Sequence, residues 1–137
     1  MEKARVLVRW WLAINFAFVG VTHFTNADLF VGIMPPYLPA HLELVWISGV
    51  FEILGAVGLL VPFSRRFAGF GLLALLVAVF PANLHMALNE VYLPVDWLPQ
   101  NQIGLWLRLP FQLVFAAAIW FSMGPHRTAN TGPNATV

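Results

Sequence analysis

The sequence predicts an all-α fold, an integral membrane four-helix bundle with both termini cytoplasmic, on three observations. Only 9% of the 137 residues are charged and 60% are hydrophobic, against roughly 25% charged in an ordinary soluble domain. Four apolar stretches each approach the roughly 20 residues needed to cross hydrocarbon at about 1.5 Å per residue. Lys and Arg gather on one set of flanks, as the positive-inside bias requires.

The first span is expected from Val6 to Phe24. Lys3 and Arg5 ahead of an apolar run also begin a signal peptide, but no small-residue Ala-x-Ala site follows, so the segment is expected to be retained. The second runs from Leu44 to Pro62, the third from Phe67 to Leu88 and the fourth from Ile103 to Met123. They make one domain over residues 1–127, followed by a polar tail, 128–137, expected to be disordered and cytoplasmic. Its Asn134-Ala135-Thr136 sequon is then a chance match.

Orientation rests on Lys3, Arg5 and Arg9 at the N-terminus, Arg65 and Arg66 in the second loop and Arg127 in the tail. Toward the opposite side Arg108 is the only basic residue, and the first and third loops carry Asp28, Glu43, Glu90 and Asp96. Trp10, Trp11 and Trp120 fall near the inner interface, and Tyr37, Trp46, Tyr92, Trp97 and Trp106 near the outer one, as an aromatic belt requires. A net charge of +1 and the absence of a Lys/Arg-rich run set nucleic acid aside as a partner. The chain has no cysteine, which excludes disulfides, iron–sulfur clusters and thiolate chemistry.

Within this apolar background a few polar groups stand at bilayer depth, where they normally face a bundle interior or a wet cavity. Counted from the outer helix ends at about 1.5 Å per residue, Glu52, Asn83 and Arg108 lie about 12, 8 and 8 Å deep, a common layer. Gln112 follows Arg108 at i+4 on the same face, and Asn15, Val19 and His23 form one stripe on the first helix. An Arg108–Glu52 ion pair is the expected arrangement. It has a bland alternative, a salt bridge that only fixes helix order, and the amides have theirs in interhelical hydrogen bonds.

The histidines are less diagnostic. His85 lies two residues from Asn83, roughly 200° around the helix, so both cannot point squarely into one pocket. His41 and His126 lie in a loop and the tail and receive no role. His23, Glu52 and His85 supply at most three metal ligands, and His23 with His85 two haem ligands, but no HExxH or paired-histidine spacing supports either.

The frame is read from small residues and prolines. Gly71, Ala74, Ala78 and Ala82 stripe the third helix, and Gly49, Gly55, Ala56 and Gly58 thin the second, both read as packing faces. Pro81 and Pro110 each remove a backbone hydrogen bond beside the polar layer. The stiff Met34-Pro35-Pro36-Tyr37-Leu38-Pro39 loop is either a lid over the bundle mouth or a plain interfacial segment.

Several local motifs together resemble one family. They are Gly20-Val21-Thr22-His23-Phe24, the Met34 to Pro39 loop, Ser48-Gly49-Val50-Phe51-Glu52 before a Gly-rich run, and Pro62 before Arg65-Arg66. Phe80-Pro81-Ala82-Asn83 with Met86-Ala87, and Arg108-Leu109-Pro110-Phe111-Gln112, complete the set. Over about residues 5–123 the chain resembles the DoxX family of small four-helix bacterial membrane proteins. The resemblance implies the bacterial inner membrane and singles out His23, Glu52, Asn83, Arg108 and Gln112, leaving His85 outside the pattern. It also implies a redox setting, since relatives include a subunit of a membrane thiosulfate:quinone oxidoreductase.

The functional expectation is a membrane redox accessory or subunit that binds a quinone-like or other small lipophilic ligand in the outer half of the bundle. Arg108, Asn83, Gln112 and His85 would contact the ligand, and Glu52, helped by His23, would carry a proton. The electrons would come from a partner oxidoreductase, soluble or membrane-bound. The alternatives are a scaffold or assembly protein that uses Arg108 and Glu52 for folding alone, and a small-solute transporter working as a homo-oligomer.

Overall fold

The structure, a computed structural model, describes residues 1–93 and 101–124. Asp96, Trp97, His126, Arg127 and the 128–137 tail, with its sequon, lie outside the described residues. The described chain is all-helical: α1 Glu2–Thr25, α2 Ala27–Val31, α3 His41–Leu60, α4 Arg65–Asn89 and α5 Gln102–Ser122. The four long helices match the expected spans to within a turn, and each is long and apolar enough to cross a membrane. α1 packs on α3 and α5, α3 on α4, and α4 on α5, so the four close into a ring. Both described chain ends lie at one end of the ring, here the terminal end; α2 and the segment after it lie at the far end.

Local chemistry explains where the helices stop. α5 starts at Asn101, whose side chain accepts from the Gly104 amide at 2.7 Å, an ordinary N-cap. α4 ends on Glu90 in the left-handed conformation (φ 52°), and the Val91 amide returns to the Met86 carbonyl at 3.1 Å. Val91 then packs near Met86, the hydrophobic closure of a Schellman-type end. Glu90 also accepts from Gln102 at 3.0 Å, which ties the end of α4 to the start of α5.

The short helix α2 has no periodic signal of its own in the sequence. It brings Phe30 onto the His23 ring, with centroids 4.0 Å apart, and leads into Ile33, which packs with Met86, Ala87 and Leu105 at the far end. Pro35 is fully buried, and its carbonyl accepts from His41 Nε2 at 3.1 Å. His41, given no role from sequence, therefore pins this segment. The main core, Leu12, Phe16, Ala56, Leu59, Leu72 and Ile119 among others, fills the terminal half.

Small residues decide the helix contacts, but not all the expected ones. Gly20 and Gly49 face each other across α1 and α3. A Cβ on Gly20 would stand 2.9 Å from the Gly49 carbonyl, and one on Gly49 2.9 Å from the Gly20 carbonyl. Gly58 lies against Ala68 and Gly55 against Leu72, as a packing face on α3 requires. The Gly71 stripe on α4 is a correction: Gly71, Ala74 and Ala78 are exposed, and a Cβ on Gly71 would meet nothing within 4 Å. The face of α4 turned inward instead carries Arg65, Gly69 and Leu72, because the large Leu72 buries more apolar surface than the alanines could.

The two kinds of glycine separate in a stability measurement. Gly20→Ala should lower stability by about 1–3 kcal/mol, as overpacking does, whereas Gly71→Ala should be neutral or raise it by up to about 1 kcal/mol through helix propensity. Reversible unfolding of the purified protein in mixed micelles reads both. Equal losses from the two substitutions would show that close approach is not what Gly20 provides.

Candidate functional site

The sequence-predicted polar layer divides into two places. On the α4/α5 side, Asn83, Arg108 and Gln112 line one cavity of about 510 Å³, with Val19 of α1 and the apolar side chains Leu76, Phe111 and Phe115. Arg108 and Gln112 share it because four residues bring a helix round to nearly the same face. Tyr92 and Leu93, just beyond α4, close its far-end side together with Leu105. They carry no depth signal, and sequence reasoning missed them.

The polar atoms in this cavity are poorly satisfied. Arg108 Nη1 has the Met86 thioether as acceptor at 3.9 Å, a weak partner for a guanidinium, and among the described residues no carboxylate lies within 4.0 Å of it. Gln112 Nε2 donates to the Leu76 carbonyl at 3.4 Å, while its Oε1 is buried with no hydrogen-bond partner among the described residues. Native proteins seldom leave such atoms without a partner. The cavity therefore holds a cation and an orphan acceptor between apolar walls, a constellation suited to an oxygen-bearing, otherwise apolar molecule.

His23 and Glu52 form the second place, between α1 and α3. Both are buried, 6% and 7% exposed, and neither lines the cavity. The Gly20–Gly49 contact brings α1 close enough for His23 Nδ1 to meet the Val45 carbonyl at 2.9 Å. A carbonyl only accepts, so Nδ1 carries the hydrogen and, in the neutral ring, Nε2 presents its lone pair. That lone pair faces Glu52 Oε2 at 3.9 Å, within ion-pair reach and longer than a hydrogen bond; Oε2 has no other partner among the described residues. The two groups face each other in a compartment bounded by Phe30.

The expected Arg108–Glu52 ion pair is thus not made. Similar depth placed the two on one layer, but rotation about the helix axes turns Glu52 to α1 and Arg108 to the α4/α5 cavity. His85 joins neither place. Its Nδ1 accepts from the Asn89 side chain at 3.0 Å, one turn along α4, as the roughly 200° separation from Asn83 requires. Asn15 donates to the Trp11 carbonyl within α1 at 2.7 Å. The Met34 to Pro39 segment packs on the far end without lining the cavity. Among the described residues no three His, Asp or Glu side chains converge as a metal site would need.

A third polar group lies at the terminal end and was read from sequence only as a basic flank. Arg9, 4% exposed, donates from Nε to the Ser122 carbonyl at 2.9 Å and from Nη1 to Glu2 at 3.1 Å. Arg65, 6% exposed, donates from Nε to the Leu59 carbonyl at 3.1 Å. The signal for Arg9 was available: it continues the buried stripe Leu12, Ala13, Phe16, Gly20 and His23 one turn toward the N-terminus.

Residues 12–123 match the family described as Domain of unknown function (DUF8561), and the chain belongs to that family. No curated protein and no solved structure matches.

The two-place arrangement has an energetic signature. In double-mutant cycles His23→Leu with Glu52→Leu should show a coupling of about 0.5–3 kcal/mol, as for groups in contact, and Arg108→Leu with Glu52→Leu less than about 0.5 kcal/mol. Unfolding of the four single and double variants measures both. A coupling above about 1 kcal/mol between Arg108 and Glu52 would restore the ion pair.

Proposed function

We propose that this DUF8561 protein is a multi-pass protein of the bacterial cytoplasmic membrane, with both termini cytoplasmic. It binds a lipophilic molecule with a quinone-like, oxygen-bearing head in the α4/α5 cavity and serves a membrane redox system as accessory or subunit. The four apolar helices support the bilayer, and the basic terminal end supports the orientation.

One observation carries the ligand: Arg108 faces a cavity of about 510 Å³ with no carboxylate partner among the described residues. An Arg at bilayer depth costs about 2.5–3.5 kcal/mol on insertion scales, and a counter-charge or strong acceptor offsets this. The volume falls within the roughly 300–1,000 Å³ of small-molecule sites, and a mostly apolar wall with a few convergent polar groups is their usual lining. Arg108 and Asn83 donate to a ligand carbonyl or oxyanion, and Gln112 Oε1 accepts from a ligand hydroxyl. His23 and Glu52 hold a proton on the α1/α3 side.

The redox setting rests on the resemblance to the DoxX family, with a partner oxidoreductase supplying the electrons. The scaffold alternative loses its expected basis, because Arg108 and Glu52 do not pair.

Mass-spectrometric and optical inventory of molecules copurifying with the protein tests this reading. The wild type should carry a lipophilic oxygenated molecule, and Arg108→Gln should carry at least about tenfold less, as expected for losing a charge-assisted hydrogen bond. Glu52→Gln, being outside the cavity, should retain it. An empty wild type that also fails to bind added ubiquinone or menaquinone analogues would remove the proposal.

A further inference from the structure

At the terminal end, α4 and α5 leave a second, smaller cleft of about 250 Å³ lined by Arg66, Phe70, Trp120, Met123 and Gly124. Its chemistry is divided. Phe70 and Trp120 meet edge to face at 6.4 Å and are largely exposed, forming an apolar wall open to the side of the bundle. Arg66 stands at its terminal-end rim, exposed and with no ion pair among the described residues. The glycine that completes the rim, Gly124, lies against the Arg5 guanidinium.

The charge around this rim is one-sided. Arg5, Arg9, Arg65 and Arg66 gather at this end, and the described ion pairs of the group all use one carboxylate, Glu2, at 3.9 Å from Arg5 and 3.1 Å from Arg9. Arg9 and Arg65 spend their Nε donors on helix carbonyls, and Arg5 Nε is buried with no hydrogen-bond partner among the described residues, its guanidinium 5.4 Å from the Phe121 ring centre. Arg65 and Arg66 also occupy the first turn of α4, which has no acidic residue and no side-chain cap. Cations there oppose the helix dipole, and an anion would relieve both the dipole and the cluster.

We propose that this cleft binds the phosphodiester headgroup of an anionic phospholipid, with Arg66 on the phosphate and an acyl chain along Phe70 and Trp120. The inference rests on the bilayer reading, which puts this end at the cytoplasmic headgroup layer, and not on the cavity ligand. Charge and shape select the occupant: a cation at the rim fits a phosphate, and exposed aromatics directly beneath it fit the chain that the phosphate carries. A zwitterionic lipid fits less well, since its own cation would sit in a field that is already positive.

Native mass spectrometry of the full chain, released from micelles with equal phosphatidylglycerol and phosphatidylcholine, provides the test. Phosphatidylglycerol should be retained about fivefold over phosphatidylcholine, the equivalent of about 1 kcal/mol for one basic side chain near an anionic surface. Arg66→Gln should abolish that preference; because Arg66 is exposed, the variant should unfold at the wild-type temperature. Trp120 fluorescence should be quenched by brominated phosphatidylglycerol more than by its phosphatidylcholine analogue, a difference lost in Trp120→Phe. Equal retention of the two lipids, a preference unchanged in Arg66→Gln, or full competition by inorganic phosphate would each overturn the lipid assignment. Failure to co-float with vesicles of either composition would overturn the bilayer reading together with it, whereas equal retention leaves that reading standing.

Discussion

The backbone contact of Gly20 of α1 with Gly49 of α3 sets the geometry on which the polar groups depend. With each carbonyl 2.9 Å from where the other residue's Cβ would be, the two backbones touch without intervening side chains. Contacts of this kind favour small residues and close Cα–H to carbonyl approach. One consequence lies one turn away: His23 reaches the Val45 carbonyl, its tautomer is fixed, and Nε2 is left facing Glu52. Wider separation would leave two buried polar side chains without a common boundary, which hydrocarbon penalises heavily. α1 and α3 therefore act as one tightly joined pair, and α4 and α5 complete the ring with looser packing at mid-depth.

That asymmetry gives the bundle two different interiors. Between α1 and α3 the space is closed, and His23 Nε2 and Glu52 Oε2 face each other at 3.9 Å. Between α4 and α5 a cavity remains, and each helix carries a proline at this level, Pro81 and Pro110, neither of which can donate a backbone hydrogen bond. The short helix α2 serves the closed side, with Phe30 against His23, while Tyr92 and Leu93 border the open one.

Much of this was legible in the sequence, and the boundary of legibility is physical. Length and apolarity located the four long helices, and residue counting set Glu52, Asn83 and Arg108 at similar distances from their helix ends, because rise per residue is nearly constant. Spacing within one helix was also readable: i+4 put Arg108 and Gln112 on one wall, and a two-residue step kept His85 away from Asn83. Direction relative to other helices was not readable, since it depends on which faces pack. Glu52 accordingly turns to His23 rather than Arg108, and the Gly71 stripe turns outward although its residues suit a packing face. α2 escaped notice because five residues cannot display a helical period. The buried role of Arg9 was readable from the Leu12 and Phe16 stripe, but a basic residue near a terminus is ordinarily assigned to the solvated flank.

Arg9, Arg65 and Arg108 show what partnership means for the same side chain. Arg9 has a helix carbonyl and a carboxylate, and Arg65 has a helix carbonyl beside the same charged cluster. Both reach the last turn of a neighbouring helix, Ser122 of α5 and Leu59 of α3, whose carbonyls have no intrahelical donor and relieve a guanidinium at little cost. Arg108 lies inside α5, where the backbone carbonyls are engaged in the helix, and among the described residues it has only a thioether. It cannot shed its proton to escape the cost, because guanidinium stays charged in proteins. Reaching out of the cavity would carry a long side chain through an apolar wall, and drawing Glu52 across would undo the His23 arrangement held by the α1/α3 contact. Of the three, Arg108 is the one whose charge is left without a strong acceptor among the described residues.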